Sequence, residues 1–107
     1  MRYRVFIESR VFTKLLGKYL NEEEYSDLQR HLLRSPKAGP VFRGSGGVRK
    51  LRWSARGKGK SGGVRVIYYI PDSSSFWMLT IYGKSEAESI SGPVLKRIKE
   101  AMQDGQA

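Results

Sequence analysis

Two segments most restrict what this chain can fold into: residues 64–70 (Val-Arg-Val-Ile-Tyr-Tyr-Ile) and 76–82 (Phe-Trp-Met-Leu-Thr-Ile-Tyr). Both are rich in β-branched and aromatic side chains, which suit a pleated surface. The Pro71-Asp72-Ser73-Ser74 stretch between them is turn chemistry. Together they predict an antiparallel hairpin. Val48 to Trp53 reads as a further strand. Its alternation puts Val48, Lys50 and Arg52 on one face and Arg49, Leu51 and Trp53 on the other. It joins the hairpin through a flexible basic loop, residues 54–63 (Ser-Ala-Arg-Gly-Lys-Gly-Lys-Ser-Gly-Gly). Residues 2–8 alternate as well, with Tyr3, Val5 and Ile7 opposed to Arg2, Arg4, Phe6 and Glu8. That pattern reads as a strand and not as the unbroken apolar core of a signal peptide.

Between the first two strands the period changes to that of a helix. Ser9 is placed to cap a helix over residues 10–18, with Val11, Phe12, Leu15, Leu16 and Tyr19 at helical spacing. Asn21 starts a second. Glu22 to Glu24 sit in its positive first turn, and Glu24 is placed for a capping-box contact. Tyr25, Leu28 and Leu32 make the inward stripe, and Ser35-Pro36 stops the helix. Residues 36–47 hold two prolines and four glycines and read as a loop. A last helix starts near Pro93, after Ser91 or Gly92, with Val94, Leu95, Ile98 and Met102 as its apolar face and Gly105 as its end. The order β-α-α-β-β-β-α predicts an α+β fold. It should have an antiparallel-rich sheet, the first strand added at an edge or centre, helices on one face, and the basic strand and loop on the other. At 107 residues the chain is expected to be a single domain, 1–107. No segment approaches the ~18 apolar residues of a membrane span.

The charge is unevenly spread. The formal net charge is +10, from 20 Lys and Arg against 10 Asp and Glu. No acid lies between Asp27 and Asp72, a window that holds eleven bases: Arg30, Arg34, Lys37, Arg43, Arg49, Lys50, Arg52, Arg56, Lys58, Lys60 and Arg65. The remaining nine bases are matched by the ten acids, so the excess sits in one contiguous segment. A field that local points to a polyanionic partner, whereas ordinary surfaces mix both signs. The chain has no Cys, which excludes disulfides and thiolate metal sites and fits a reducing cytosol.

Several familiar chemistries find no support. The one histidine, His31, lies beside the Leu28/Leu32 stripe and reads as a structural or surface residue and not a catalytic one. No nucleophile elbow is present. Gly59-Lys60-Ser61 and Gly83-Lys84-Ser85 mimic the end of a P-loop. Ser54 and Met78 stand where its first glycine is required, so that reading fails. Lysines and arginines remain: Arg49, Lys50 and Arg52 on one strand, Arg56, Lys58 and Lys60 on the loop, Arg65 on the next strand, and Lys84 at the end of the last. Converging, they can hold phosphates, with arginine binding them bidentately. They can also assist RNA cleavage, since RNA carries its own nucleophile, the 2′-OH, beside the phosphate. Lysine serves as acid or base where its surroundings lower its pKa. Gly57, Gly59, Gly62 and Gly63 allow close approach to a phosphate but equally suit a plain hairpin loop. For any one of the aromatics Trp53, Tyr68, Tyr69, Trp77 and Tyr82, core packing is favoured over stacking on a base; among them Tyr82, beside the Gly-Lys turn, is the best placed for stacking.

Three of these stretches together resemble the HigB-type branch of the RelE/ParE toxin superfamily: Gly46 to Arg52, Gly57 to Tyr69, and Leu79 to Lys84. Val5 to Ser9 and Leu20 to Pro36 also fit, so the resemblance covers nearly the whole chain. It implies a compact RelE-like sheet packed on two helices. It also implies a toxin of a type II toxin–antitoxin system, an endoribonuclease that enters the ribosomal A site and cuts translated mRNA through the 2′-OH without a metal or other cofactor. Such a protein would be cytoplasmic and, without its partner, monomeric, would touch no membrane, and would be held by a cognate antitoxin. By motif, Arg65 matches the phosphate-stabilising arginine, Lys50 and Arg52 a basic pair on the second strand, and Lys58 and Lys60 the loop lysines. Lys84 matches the basic position after the last strand. Some members carry an arginine where this chain has Ser85, and several have a later catalytic tyrosine that this chain lacks. The resemblance together with the basic cluster leaves Lys58, Lys60, Arg65 and Lys84 for catalysis, and Lys50 and Arg52, with Arg49, Arg56 and Tyr82 from the residue reading alone, for RNA binding. Two alternatives stay open: a ParE-like inhibitor of DNA gyrase sharing the fold, and a non-catalytic module that binds RNA or an acidic partner.

Overall fold

The computed structural model describes residues 4–54, 63–84 and 90–105. Lys58, Lys60 and Arg56 lie outside them. The elements run β1 (Val5–Glu8), α1 (Arg10–Tyr19), α2 (Glu22–Arg34), β2 (Arg49–Trp53), β3 (Val64–Asp72), β4 (Ser75–Gly83) and α3 (Gly92–Gln103). The described residues make an α+β molecule of three helices on a four-stranded mixed sheet ordered β1-β4-β3-β2.

β3 and β4 form the expected hairpin, and β2 pairs antiparallel with β3. The hairpin turn is built by Asp72, whose carboxylate accepts from Ser74 N and Ser74 Oγ, each at 2.8 Å, and from Ser75 Oγ. Those bonds favour the charged carboxylate, so its pKa is lowered. β1 takes an edge position and runs parallel to β4. Leu79 is an extra residue in β4, because Ile67 pairs with Thr80 and Tyr68 with Met78. This bulge receives the chain as it leaves β1: Ser9 N donates to Met78 O at 2.9 Å and Ser9 Oγ to Leu79 O at 2.8 Å. The same hydroxyl accepts from Phe12 N at 2.9 Å and caps α1. Ser9 therefore fixes both the start of α1 and its place on the sheet.

α2 begins with the capping box read from its sequence. Asn21 Oδ1 accepts from Glu24 N and Glu24 Oε1 from Asn21 N, each at 2.8 Å. Glu8 binds the helical pair to β1, accepting from Thr13 Oγ1 at 2.6 Å and from Tyr25 OH at 2.9 Å. Burial and that carboxylate push the Tyr25 hydroxyl well above its usual pKa.

The expectation of helices on one face is corrected. α1 and α2 cover one face, where Phe12, Leu20, Leu28 and Leu32 pack on Leu51, Val64, Val66, Tyr68, Phe76, Met78 and Ile81. α3 covers part of the other, with Leu95, Ile98 and Met102 against Val48, Ile67, Leu79 and Tyr82. The physical reason is that the second face is itself apolar over those residues and would otherwise meet water. α3 starts on Ser91, whose side chain accepts from Val94 N, and sits directly on the preceding loop. A Cβ at Gly92 would come within 2.1 Å of Arg43 O, so only glycine permits this approach. Lys99, 8% exposed, anchors the same helix by donating to Gly46 O at 2.9 Å, with its ammonium 4.8 Å from the centre of the Tyr69 ring. The loop between α2 and β2 is held from below by Tyr68, whose hydroxyl accepts from Gly39 N at 3.0 Å and donates to Pro36 O at 2.8 Å.

Candidate nucleic-acid interface

The part of the second sheet face that α3 leaves open is the basic part. Arg52, Arg65 and Tyr82 are cross-strand partners on β2, β3 and β4, so they form one row across three strands. Lys50, two residues before Arg52, shares its face, and Lys84 stands two residues beyond Tyr82. Lys84 N donates to Gly63 O at 3.3 Å, which holds the end of the row to the start of β3. These five residues line a cleft of about 300 Å³ whose remaining walls are Phe42 and Ile90. A smaller hollow of about 170 Å³ adjoins it, sharing Arg52, Arg65 and Lys84 and adding Trp53, Ser54 and Gly63.

Arg52 opposite Arg65 is a like-charge pair, an arrangement that destabilises a bare sheet. Neither guanidinium has a carboxylate partner among the described residues, and no described acid lines the cleft. An anion bound between them removes the repulsion. Arginine meets a phosphate through paired N–H donors, and Lys50 and Lys84 add point charge on either side. Tyr82 forms the floor. Burial raises its hydroxyl pKa, an effect that the nearby Arg65 charge partly offsets. The phenol therefore stays protonated and can donate a hydrogen bond to an anion.

The structure thus brings together Lys50, Arg52, Arg65, Lys84 and Tyr82. Two assignments change. Arg49 does not join the cleft: it points to the α1/α2 side, and its Nη1 donates to Gly39 O at 2.8 Å. The strand alternation separates it from Lys50 and Arg52, and it serves to hold the loop. Tyr82 is only 9% exposed and packs in the core beneath α3, which favours a packing role over stacking on a base. His31 lies on the opposite side, its ring 5.2 Å from that of Trp53. Phe42 and Ile90 were not foreseen as cleft walls. The Val41-Phe42 pair, apolar in a Pro- and Gly-rich loop, was the available signal for the first.

Among the described residues there is no group of three or more His, Cys, Asp or Glu able to hold a metal ion. No described helix is long and apolar enough to cross a membrane. No protein-family model matches the chain.

Proposed function

We propose that the cleft binds the phosphates of single-stranded RNA, and that the chain is a ribosome-dependent endoribonuclease toxin of the RelE/ParE kind, HigB-type. The observation that carries this reading is the row Arg52–Arg65–Tyr82 with Lys50 and Lys84 around one cleft that no described acid lines. In this reaction the 2′-OH of the substrate attacks the adjacent phosphorus and the bond to the 5′-oxygen breaks. The products are a 2′,3′-cyclic phosphate and a 5′-hydroxyl. One group takes the 2′-OH proton and another returns a proton to the leaving oxygen. Arg65, supported by Arg52 and Lys84, would stabilise the charge that develops on the phosphoryl oxygens. Lys58 and Lys60 are assigned the proton transfers on the strength of the family resemblance. The ribosome would present the mRNA, and a cognate antitoxin would cover the site in the cytoplasm.

The test adds purified protein to a reconstituted translation reaction and maps mRNA 5′ ends by primer extension, with and without ribosomes. Cuts within translated codons only when ribosomes are present are expected, with Arg65→Ala folded and inactive. Uncut mRNA beside gyrase-linked DNA breaks would replace this reading with gyrase inhibition. A second reading, a binding module, is favoured by one observation: no described carboxylate or imidazole lines the cleft. Salt-sensitive RNA binding without any cleavage in the same reaction would select it.

A further inference from the structure

We propose that the groove along the outer edge of β2 holds an unstacked base of the RNA strand whose phosphates lie in the cleft; this rests on the phosphate-binding reading above. The groove measures about 420 Å³ and shares Phe42, Lys50 and Arg52 with the cleft. Its other walls are apolar, from Ala38, Pro40, Val41 and Leu51. A strand crossing from one to the other therefore passes from cations to an apolar recess without a break, the alternation of a phosphate and its base. Val41 stands 52% exposed at this spot.

The backbone supplies a means of reading that base. Val48 O, just before β2, accepts from Phe42 N at 2.7 Å and Lys50 N donates to Pro40 O at 3.1 Å, so these groups point outward and are covered by the 40–42 segment. Arg52, two residues on, points the same way. No described residue pairs with its outward N–H and C=O. One donor and one acceptor suit the edge of a base. They suit an added protein strand poorly, because strand addition draws its affinity from a run of such bonds, and β2 ends one residue later at Trp53.

The experiment compares a hexa-adenylate RNA with an abasic ribose-phosphate strand of the same length, by fluorescence anisotropy on the whole protein. Wild type is expected to prefer the adenylate by about fivefold or more, the effect of one well-held base. Val41→Ser, at an exposed position, should abolish that preference and leave binding of the abasic strand unchanged. Equal binding of both strands by wild type, or a preference that survives Val41→Ser, overturns the base site. In either case weakening of both probes by Arg65→Ala leaves the phosphate cleft standing. Should Arg65→Ala weaken neither probe, the cleft reading falls and the groove proposal with it. A hexaglutamate peptide bound more tightly than either strand, and weakened by Val41→Ser, would make the groove a peptide site and overturn the proposal.

Discussion

Arg52 and Arg65 face each other across β2 and β3 with no described acid between them. Like charges in that position cost on the order of 0.2–1 kcal/mol. Arg52→Gln should therefore gain a few tenths of a kcal/mol in urea unfolding, within that range, while binding RNA more weakly. Both effects together in one variant would mark Arg52 as a residue kept for binding and not for stability. Tyr68 is the contrary case. Its hydroxyl is buried by the α2–β2 loop and bonds both Gly39 and Pro36. Tyr68→Phe leaves the Gly39 N–H and Pro36 carbonyl short of a partner and should cost about 1–3 kcal/mol in the same measurement. The alternation along β2 was legible, and it correctly set Lys50 and Arg52 apart from Arg49. The bond that makes Arg49 a loop anchor was not, since Gly39 lies ten residues away in a segment without periodicity. Tyr82 was placed beside the cleft by its neighbours Gly83 and Lys84, but its burial depends on α3, which no local pattern reveals.

At the scale of elements, what is local in the chain was readable. Asn21, Glu24 and the Ser35-Pro36 stop bracket α2, and each acts within a few residues of its partner. The hairpin was equally legible through the turn at Asp72. The parallel pairing of β1 with β4 was not, because it joins segments about seventy residues apart and leaves no turn signature. The apolar stripe of α3 showed which side of the helix would be buried, but not which face of the sheet would receive it. The contact that sets α3 in place is Gly92 against Arg43 and Gly44. Gly92→Ala forces that loop or the helix aside and should destabilise by about 1–3 kcal/mol, as overpacking does. Because Phe42 and Ile90 flank this contact and wall the cleft, the same variant should weaken RNA binding beyond what its stability loss explains. Urea unfolding and anisotropy measured on one preparation check both.

For the molecule as a whole, the charge segregation read from sequence becomes a quantity. Four described cations line the cleft. Displacement of about 0.7 counterion per phosphate contact on single strands predicts that log K falls against log salt with a slope near −3, if all four engage. Arg65→Ala should reduce that slope by about 0.7, which a salt series of anisotropy titrations measures. Alkaline stability follows from the buried tyrosines. Tyr25, Tyr68 and Tyr82 all have pKa values raised above the ordinary 10.0, chiefly by burial. A raised phenol keeps its proton longer in the folded state than in the unfolded one. The stabilisation is thus full below pH 10 and is lost as pH rises through the folded values. Tyrosinate absorbance should accordingly lag behind that of the unfolded chain and appear together with loss of structure. Tyr68→Phe should make the alkaline fall in stability less steep.

The tether from Ser9 to Leu79 carries a consequence for how the molecule comes into being. Among the described residues the first strand has no strand partner until the last one exists, since it pairs with β4 alone, Val5 bonding to Ser74 and Ser9, just after the strand, to Met78 and Leu79. A growing chain must carry β1 unpaired while α1, α2, β2 and β3 emerge, and α1 waits with it for the surface it covers. Closure over so long a separation slows folding relative to a protein of neighbouring contacts. It also means that a product broken off before β4 can complete neither the sheet nor the cleft, whose floor Tyr82 and flank Lys84 arrive with and just after the strand that secures the beginning of the chain.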